Sequence, residues 1–501
     1  MGNVRHDLIA SLLARAWVAL LGLLAIPYYV RFLGIEAYGL VGFFTTIQTL
    51  CIFLDLGLGA TLTRELARAG VQPELRSSSR DVARTFEFAY LCIAILIGLG
   101  LFLLAPALAQ HWIKLETLGT EEVGRALTLG GLSLACQWPF GLYNAGMAGL
   151  HRQIQLGVST TLLTSFRVAL SLAALWVSPT LQSFFAAQLV GSLIQSLALR
   201  SLFWRALALP GHRPAVRRAI LRSSLGFAGS MTGITITVLL LTQVDKLILS
   251  HTLPLDDFGV YVLASTLAMG LYVAISPMQS VMFPRFSALI QQGDERQLSA
   301  LYHVSAQVLS LLIIPAALTV ALFSREALLA WTGDAVLAER GSVVLALLVL
   351  GNACNGVIAI PYALQLASAW ASLPLKINLA ALFLFTPATY VLATSYGAVG
   401  GATTWLALNL GYVALTPQLM HRRLLKSEKS NWYLKDLLPV TAVSVAVIIP
   451  LWLVGHGQDS RVAAGCLVLA AWALAFLMSS MTLAVVRERV GRLFRTQVSA
   501  Q

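Results

Sequence analysis

A chain of 501 residues that is 58% hydrophobic and 11% charged, with a mean hydropathy of +0.79, has too little polar surface to clothe a water-soluble globule. It needs lipid as solvent. The formal charge of +12 would suit a nucleic-acid partner, but the basic residues lie in alternate loops rather than on one surface, which excludes that reading.

Apolar runs of roughly 20 residues predict bilayer-spanning helices near 8–30, 38–60, 85–109, 126–149, 156–178, 183–204, 224–249, 259–283, 303–323, 342–366, 371–394, 399–420, 437–455 and 463–486. These make an all-α polytopic membrane protein of about fourteen spans. The first span contains Arg15 and is not followed by a small-residue cleavage pattern, so the amino terminus is expected to be retained. Cys51, Cys92, Cys136, Cys354 and Cys466 all fall inside predicted spans and are widely separated. That pattern excludes a disulfide framework or a metal cluster and leaves small apolar packing residues.

Alternate loops divide the basic residues roughly 24 against 6. One set holds, among others, Arg64, Arg68, Arg76 and Arg80, then Arg200 to Arg222, then Arg422 to Lys435, and the tail after Arg487. The other holds only Arg31, Lys114, Arg125, Arg325, Arg340 and Arg461. The asymmetry predicts both termini in the cytoplasm and an even number of spans. Arg213, Arg217, Arg218 and Arg222 recur at helical spacing, as a topology signal or as a contact with anionic headgroups. No GxxxxGK[ST], HExxH or GxSxG occurs, so an ATPase, a zincin or a serine hydrolase lacks its minimum equipment.

At an offset of about 220, Phe32-Leu-Gly-Ile-Glu-Ala-Tyr-Gly39 aligns with Thr252-Leu-Pro-Leu-Asp-Asp-Phe-Gly259. Both place an acid and then an aromatic-Gly pair at the opening of an even-numbered span, as two copies of one six-helix unit require. An even repeat keeps both copies in the same orientation, related by an axis along the membrane normal, with a cavity between them. The expected organisation is an N-lobe over 1–205, a basic linker over 206–222, a C-lobe over 223–424, a basic loop over 425–436, two further helices over 437–486 and a basic tail over 487–501. Pro27, Pro139, Pro277, Pro315, Pro361 and Pro387 fall within spans and permit bends. Gly229-x-x-x-Gly233 and Gly397-x-x-x-Gly401 read as close-packing sites.

A charge near the bilayer centre costs roughly 2.5–3.5 kcal/mol on insertion scales, so each needs a partner, an aqueous cavity or a route to the interface. Arg167 falls near the midplane, too deep to snorkel, and is the leading candidate for anion binding. Arg15, Asp55 and Glu87 come to a common level, with Arg84 at their edge, either as a ligand site or as a self-neutralising network. Asp245 and Lys246 sit near the far end of the seventh span; adjacent residues diverge by about 100° on a helix, so they are expected not to pair. Asp245 is a candidate for ion coupling or gating, alongside Asp55 and Glu87. Amides and aromatic rings such as Gln48, Gln137, Trp138, Tyr143, Gln188 and Gln195 interrupt the spans, as sugar-holding groups or as glue between helices.

The runs Arg31-Phe-Leu-Gly-Ile-Glu-Ala-Tyr-Gly39, Leu54-Asp-Leu-Gly-Leu-Gly59 with Arg64 and Glu65, Gln243-Val-Asp-Lys-Leu-Ile248 and Phe283-Pro-Arg-Phe-Ser287 appear in this order. Together they resemble the polysaccharide-exporter, or Wzx-type flippase, branch of the multidrug/oligosaccharidyl-lipid/polysaccharide exporter superfamily. The resemblance implies a MATE-like fold of two six-helix lobes plus two C-terminal helices, working by alternating access. It implies an undecaprenyl-diphosphate-linked oligosaccharide as substrate, with Arg15, Arg167 and Lys246 in cationic roles and Asp55 and Asp245 at the family's acidic positions.

The expectation is a non-enzymatic flippase of a bacterial inner membrane. It would have no cofactor, no metal and no nucleic-acid partner, and a proton or sodium gradient as one source of drive. Membrane lipids, a glycan polymerase and chain-length machinery are its expected partners. A multidrug antiporter and a lipid II flippase are alternatives within the superfamily. A membrane-embedded polymerase or ligase is disfavoured, because the loops opposite the basic ones are too short to hold an acceptor.

Overall fold

A computed structural model describes residues 2–72, 74, 76–207, 214–370 and 372–483, less the side chains of 2–13, 15, 76 and 223–235. Among the described residues the chain is helical throughout and forms no β-strand; a single backbone bridge joins Lys114 and Pro254. Among the described residues eleven helical stretches are long and apolar enough to cross a bilayer. One of them, α15 (Ser372–Met420), has 49 residues, about 74 Å at the α-helical rise and more than two bilayer cores. It reverses at Gly397, whose φ of 61° and ψ of −138° are open to glycine. Gly397 therefore serves a chain reversal rather than a helix contact. Gly229 and Gly233, the other expected close-packing pair, lie where side chains are outside the described residues.

The long helices α5 (Thr120–Gly149) and α8 (Arg218–Thr252) fall where the fourth and seventh spans were expected, consistent with about fourteen crossings in all. In its buried stretch α5 is rich in glycine because it is enclosed by protein rather than by lipid. A Cβ on Gly146 would lie 2.3 Å from the Phe203 ring of α7 (Leu181–Ala206), and one on Gly149 would lie 2.7 Å from the Thr63 carbonyl oxygen of α3 (Leu58–Val71). On α4 (Arg76–Ala107), by contrast, Phe88, Leu91, Ile95, Leu99 and Phe102 form an exposed apolar stripe, while Ala83, Phe86, Tyr90, Ala94 and Ile97 are buried. A helix apolar on both faces has protein on one side and hydrocarbon on the other.

The chain packs as two compact units, 1–259 and 260–501. The first contains α1 (Gly2–Leu33), α2 (Ile35–Cys51), α3, α4, α5, α6 (Gln153–Val177), α7, α8 and the opening of α9 (Leu255–Ala268). Here the two repeated segments meet reciprocally. A Cβ on Gly39 would lie 2.4 Å from the Leu255 carbonyl oxygen, and one on Gly259 would lie 2.3 Å from the Ile35 carbonyl oxygen. The glycines and the carbonyls are equivalent under the repeat offset, so the contact has local two-fold character. Buried Glu36 accepts hydrogen bonds from the Glu116 N–H at 2.8 Å, the Thr117 N–H and the Thr117 hydroxyl, pinning the α4–α5 connection beside this joint.

The second unit continues with α10 (Tyr272–Gln292), α11 (Glu295–Leu322), α12 (Ser324–Thr332), α13 (Ala335–Val357), α14 (Ala359–Ala367), α15, α16 (Lys429–Asn431), α17 (Leu438–Gly455) and α18 (Arg461–Ser480). The last two helices are fastened at both ends. At one end Arg325 reaches Glu339 at 3.0 Å and Asp459 at 2.8 Å, while Arg461 donates to the Ala330 and Trp331 carbonyls at 3.0 Å each. At the other, the His303 ring faces Asp436 through Nδ1 and Glu428 through Nε2 at 3.0 Å, and Gln307 donates to Asp436 at 2.9 Å. Ser444 and Ser479 join α17 to α18 at 2.9 Å between their hydroxyls.

Two outcomes test this packing. Gly39→Val and Gly259→Val each drive a side chain into a backbone oxygen, so each is expected to cost about 1–3 kcal/mol, read as a lowered melting temperature of the purified protein. His421 is 3% exposed, and burial pushes its ring below the usual histidine value of 6.5. A ring held neutral in the fold but protonated in the unfolded chain stabilises above that value and ceases to do so as pH falls through the folded one. The melting temperature of His421→Gln should therefore fall less steeply than the parent's between pH 7.5 and 5.5.

Candidate functional site

Arg167 sits fourteen residues into α6, about 21 Å from its start and 15 Å from its end. Three successive rungs join α6 to the antiparallel α7. Gln195 lies 3.5 Å from the Thr164 hydroxyl, Gly191 receives the stem of Arg167, and Gln188 donates to the Ser171 hydroxyl at 3.2 Å. A Cβ on Gly191 would lie 2.6 Å from Arg167 Cγ, so only glycine leaves room for the stem there. The Tyr29 hydroxyl of α1 faces Ser171 and lies within electrostatic reach of the guanidinium. Among the described residues no carboxylate pairs with Arg167 and no acceptor takes its N–H groups. The seam is thus a polar stripe inside the first unit, with one cation that no described carboxylate compensates.

Glu87 has the opposite character. Fully buried on α4, it accepts from the Tyr143 hydroxyl at 2.8 Å, Arg200 Nε at 2.8 Å, the Trp204 indole at 3.0 Å and Arg84. Two guanidinium groups and two neutral donors meet it, three of them at Oε1 and Arg84 at Oε2, which makes it a structural hub. Arg200 and Trp204 were not foreseen as its partners. Arg200 reads in sequence as one more basic loop residue, and only the parallel packing of α5 and α7 brings it to α4. Arg15 belongs to α1, but its side chain lies outside the described residues.

Asp55 is set apart from that hub. The second predicted span breaks after α2 into a tight turn, Ile52–Asp55, followed by Leu56 and Gly57 in the left-handed region with φ of 49° and 72°. For a non-glycine residue that conformation costs on the order of 1–2 kcal/mol, and strain of this kind gathers where a backbone must hold a side chain in place. The turn aims Asp55 so that its Oδ1 accepts from the Gly59 N–H at 3.2 Å and from the Tyr90 hydroxyl. Asp55 and Glu87 share no partner among the described residues, and the expected link through Arg15 lies outside them.

Beside Asp55 lies a cavity of about 470 Å³ lined by residues of α2, α3, α4 and α5, among them Gln48, Thr63, Tyr90, Gln137 and Trp138. The parallel register of α5 and α7, fixed by Ser133–Ser192 at 3.2 Å and by the Ser196 hydroxyl donating to the Cys136 carbonyl at 2.6 Å, relates its depth to the seam. Leu134, at one end of the cavity, stands within one turn of the level of Arg167, and Ala145 marks the other end, nearer Glu87.

Asp245 and Lys246 lie on α8, Asp245 buried and Lys246 partly so. Their expected separation is corrected: the flexible lysine stem curls back and brings Nζ to 3.8 Å from Asp245 Oδ2, within ion-pair reach though beyond hydrogen-bond distance. Residue spacing fixes where two Cβ atoms point, not where a four-carbon side chain ends.

The helix order, the reversal in α15, the internal repeat and the two appended helices define a polytopic transporter-type fold. Solved structures share it at low identity. A lipid II flippase, MurJ, in an inward closed conformation, matches with 13% identity over 96% of this chain and 100% of its own, with a TM-score of 0.74. An inward-facing multidrug resistance MATE family transporter of the MOP superfamily matches with 14% identity over 82% of this chain and 96% of its own, with a TM-score of 0.65. A MOP superfamily transporter from Pyrococcus furiosus, described as having a binding pocket of reversed polarity, matches with 14% identity over 84% and 95%, with a TM-score of 0.53. Comparison with curated protein sequences returns no match. Residues 4–290 match the family model for polysaccharide biosynthesis proteins, and the chain belongs to that family.

The hub supplies a test of its own. Glu87→Leu would leave the Tyr143 hydroxyl and the Trp204 N–H without their acceptor, at about 1–3 kcal/mol for each orphaned group. A strongly lowered melting temperature is expected, whereas Asp55→Asn, whose partners are fewer, should change it little.

Proposed function

We propose that this protein is a flippase that carries an undecaprenyl-diphosphate-linked oligosaccharide from the cytoplasmic to the periplasmic leaflet of a bacterial inner membrane, with both termini in the cytoplasm. The observation that carries the reading is the guanidinium of Arg167, deep in a span and without a carboxylate partner among the described residues. A planar fork of N–H donors suits phosphate oxygens, and an ionised group at that depth is tolerated where water or an anionic cargo meets it. Membership of the polysaccharide biosynthesis family supports a glycan cargo. Lys246, held only loosely by Asp245, is a second cation able to meet the diphosphate. No chemical step is assigned: the protein moves its cargo unchanged, drawing on product removal or an ion gradient.

The similarity to a lipid II flippase, which extends over 96% of this chain, supports a second reading in which the cargo is a peptidoglycan precursor. Both cargoes are diphosphate lipids, so Arg167 has the same role in each.

Deletion should cause lipid-linked repeat units to accumulate in the cytoplasmic leaflet, with surface glycan lost. An Arg167→Ala allele should fail to restore export, Arg167→Lys should restore it in part, and Gly191→Leu should resemble the alanine variant by displacing the arginine stem. Normal surface glycan in the deletion strain refutes the oligosaccharide cargo, and a lipid II defect there would favour the second reading.

A further inference from the structure

The cavity beside Asp55 is distinct in chemistry from the Arg167 seam. Among the described residues its lining contains no cationic side chain, and Asp55 is its carboxylate. An anionic diphosphate is therefore repelled from it. What it offers is a set of uncharged donors and acceptors against an aromatic wall. Gln48 donates one amide N–H to Gln137 Oε1 at 3.1 Å, leaving the Gln48 carbonyl and the Gln137 amino group without protein partners among the described residues. The Trp138 indole N–H is buried and without an acceptor. Asp55 uses Oδ1 for Gly59 and Tyr90, so Oδ2 remains as an acceptor.

Of these atoms the Trp138 indole nitrogen is the buried one without a partner, and such atoms are uncommon and call for a ligand or water. Sugar hydroxyls, each both donor and acceptor, match a lining in which donors and acceptors alternate. The Tyr90 and Trp138 rings, 5.8 Å apart between centroids and tilted by 30°, give an apolar wall for the C–H face of a pyranose. The volume of about 470 Å³ lies within the usual range for small-molecule sites, roughly 300–1,000 Å³.

We propose that this cavity is a sugar subsite, in which Gln48, Gln137, Trp138 and Asp55 hold a monosaccharide unit of the cargo by hydrogen bonds. The inference rests on the flippase reading and refines it: the cation recognises the diphosphate that all such lipids share, and the cavity selects among glycans. An organic cation drawn to Asp55 and the rings is the competing occupant. Its charged centre would leave the indole N–H and the amide N–H groups unsatisfied, because a cationic nitrogen accepts no hydrogen bond.

The test measures binding of the full chain in nanodiscs to undecaprenyl diphosphate and to the same lipid bearing glucose, galactose or N-acetylglucosamine, with rhodamine 6G as the cationic probe. The protein should bind at least one glycosylated lipid about ten-fold more tightly than the sugar-free lipid, the effect of one or two well-made hydrogen bonds. Gln137→Met and Trp138→Phe, which remove the hydrogen-bonding group and keep an apolar side chain, should each remove that preference while leaving sugar-free binding within about two-fold. Equal affinity for all the diphosphate lipids, or a preference that survives both substitutions, overturns the subsite and leaves the flippase reading intact. Rhodamine 6G binding that Asp55→Asn abolishes, without any sugar preference, assigns the cavity to cations and overturns the proposal. Binding of none of the diphosphate lipids overturns the flippase reading and the subsite with it.

Discussion

An ionised side chain in hydrocarbon must be neutralised, hydrated or matched by a ligand within a few ångströms, because the medium itself offers no compensation. This protein answers that constraint in two ways inside one unit. Around Glu87 the charge is compensated: two arginines, a tyrosine and a tryptophan meet the carboxylate, and the result joins α4, α5 and α7. Around Arg167 the answer is partial in chemical terms. Gly191 makes room for the stem, neighbouring hydroxyls and amides make the surroundings polar, and no carboxylate among the described residues cancels the charge. The first arrangement stabilises a fold, while the second keeps a donor group available.

Small residues set how closely the helices approach, and hence where space remains. Where α5 carries glycine it admits the rings of Phe203, Phe44 and Phe185 and the backbone of α3. Where the second span turns at Ile52–Gly57, between α2 and α3, the cavity lies beside Asp55. Gly39 and Gly259 apply the same device at the repeated segments, where backbone meets backbone with no side chain between. The first unit thus combines close packing at some levels with a polar hollow at another.

The second unit spends its polar groups on attachment. Asp436 is almost fully buried yet receives His303 and Gln307, and Glu428 takes the other nitrogen of the same ring. Because both ring nitrogens face acceptors, the imidazole that best fits this pocket is doubly protonated. Arg325 and Arg461 complete the fastening at the far end. Helices α17 and α18 are thereby tied to α11 and α12 at both ends, so their exposed apolar faces, Leu453, Val454, Leu469 and Leu477 among them, have a fixed mounting.

Hydropathy alone was enough to determine that the chain is an all-α polytopic membrane protein, because every span must satisfy its own backbone and expose apolar side chains. The repeat at an offset of about 220 was also legible, since a two-fold joint of backbone on backbone demands glycine at both equivalent positions. Arg167 stood out because depth in a span is a count of residues. Tertiary structure alone decided which charges cancel. Arg200 meets Glu87 across a separation of 113 residues, and Tyr90 meets Asp55 across 35, distances over which no spacing rule operates. It decided, too, that Lys246 folds back on Asp245 and that Gly397 turns the chain instead of packing a helix. Local sequence fixes the direction of a Cα–Cβ bond and the solvent a segment requires; which polar ends meet depends on helix register and on long side chains, and those exist only once the bundle has closed.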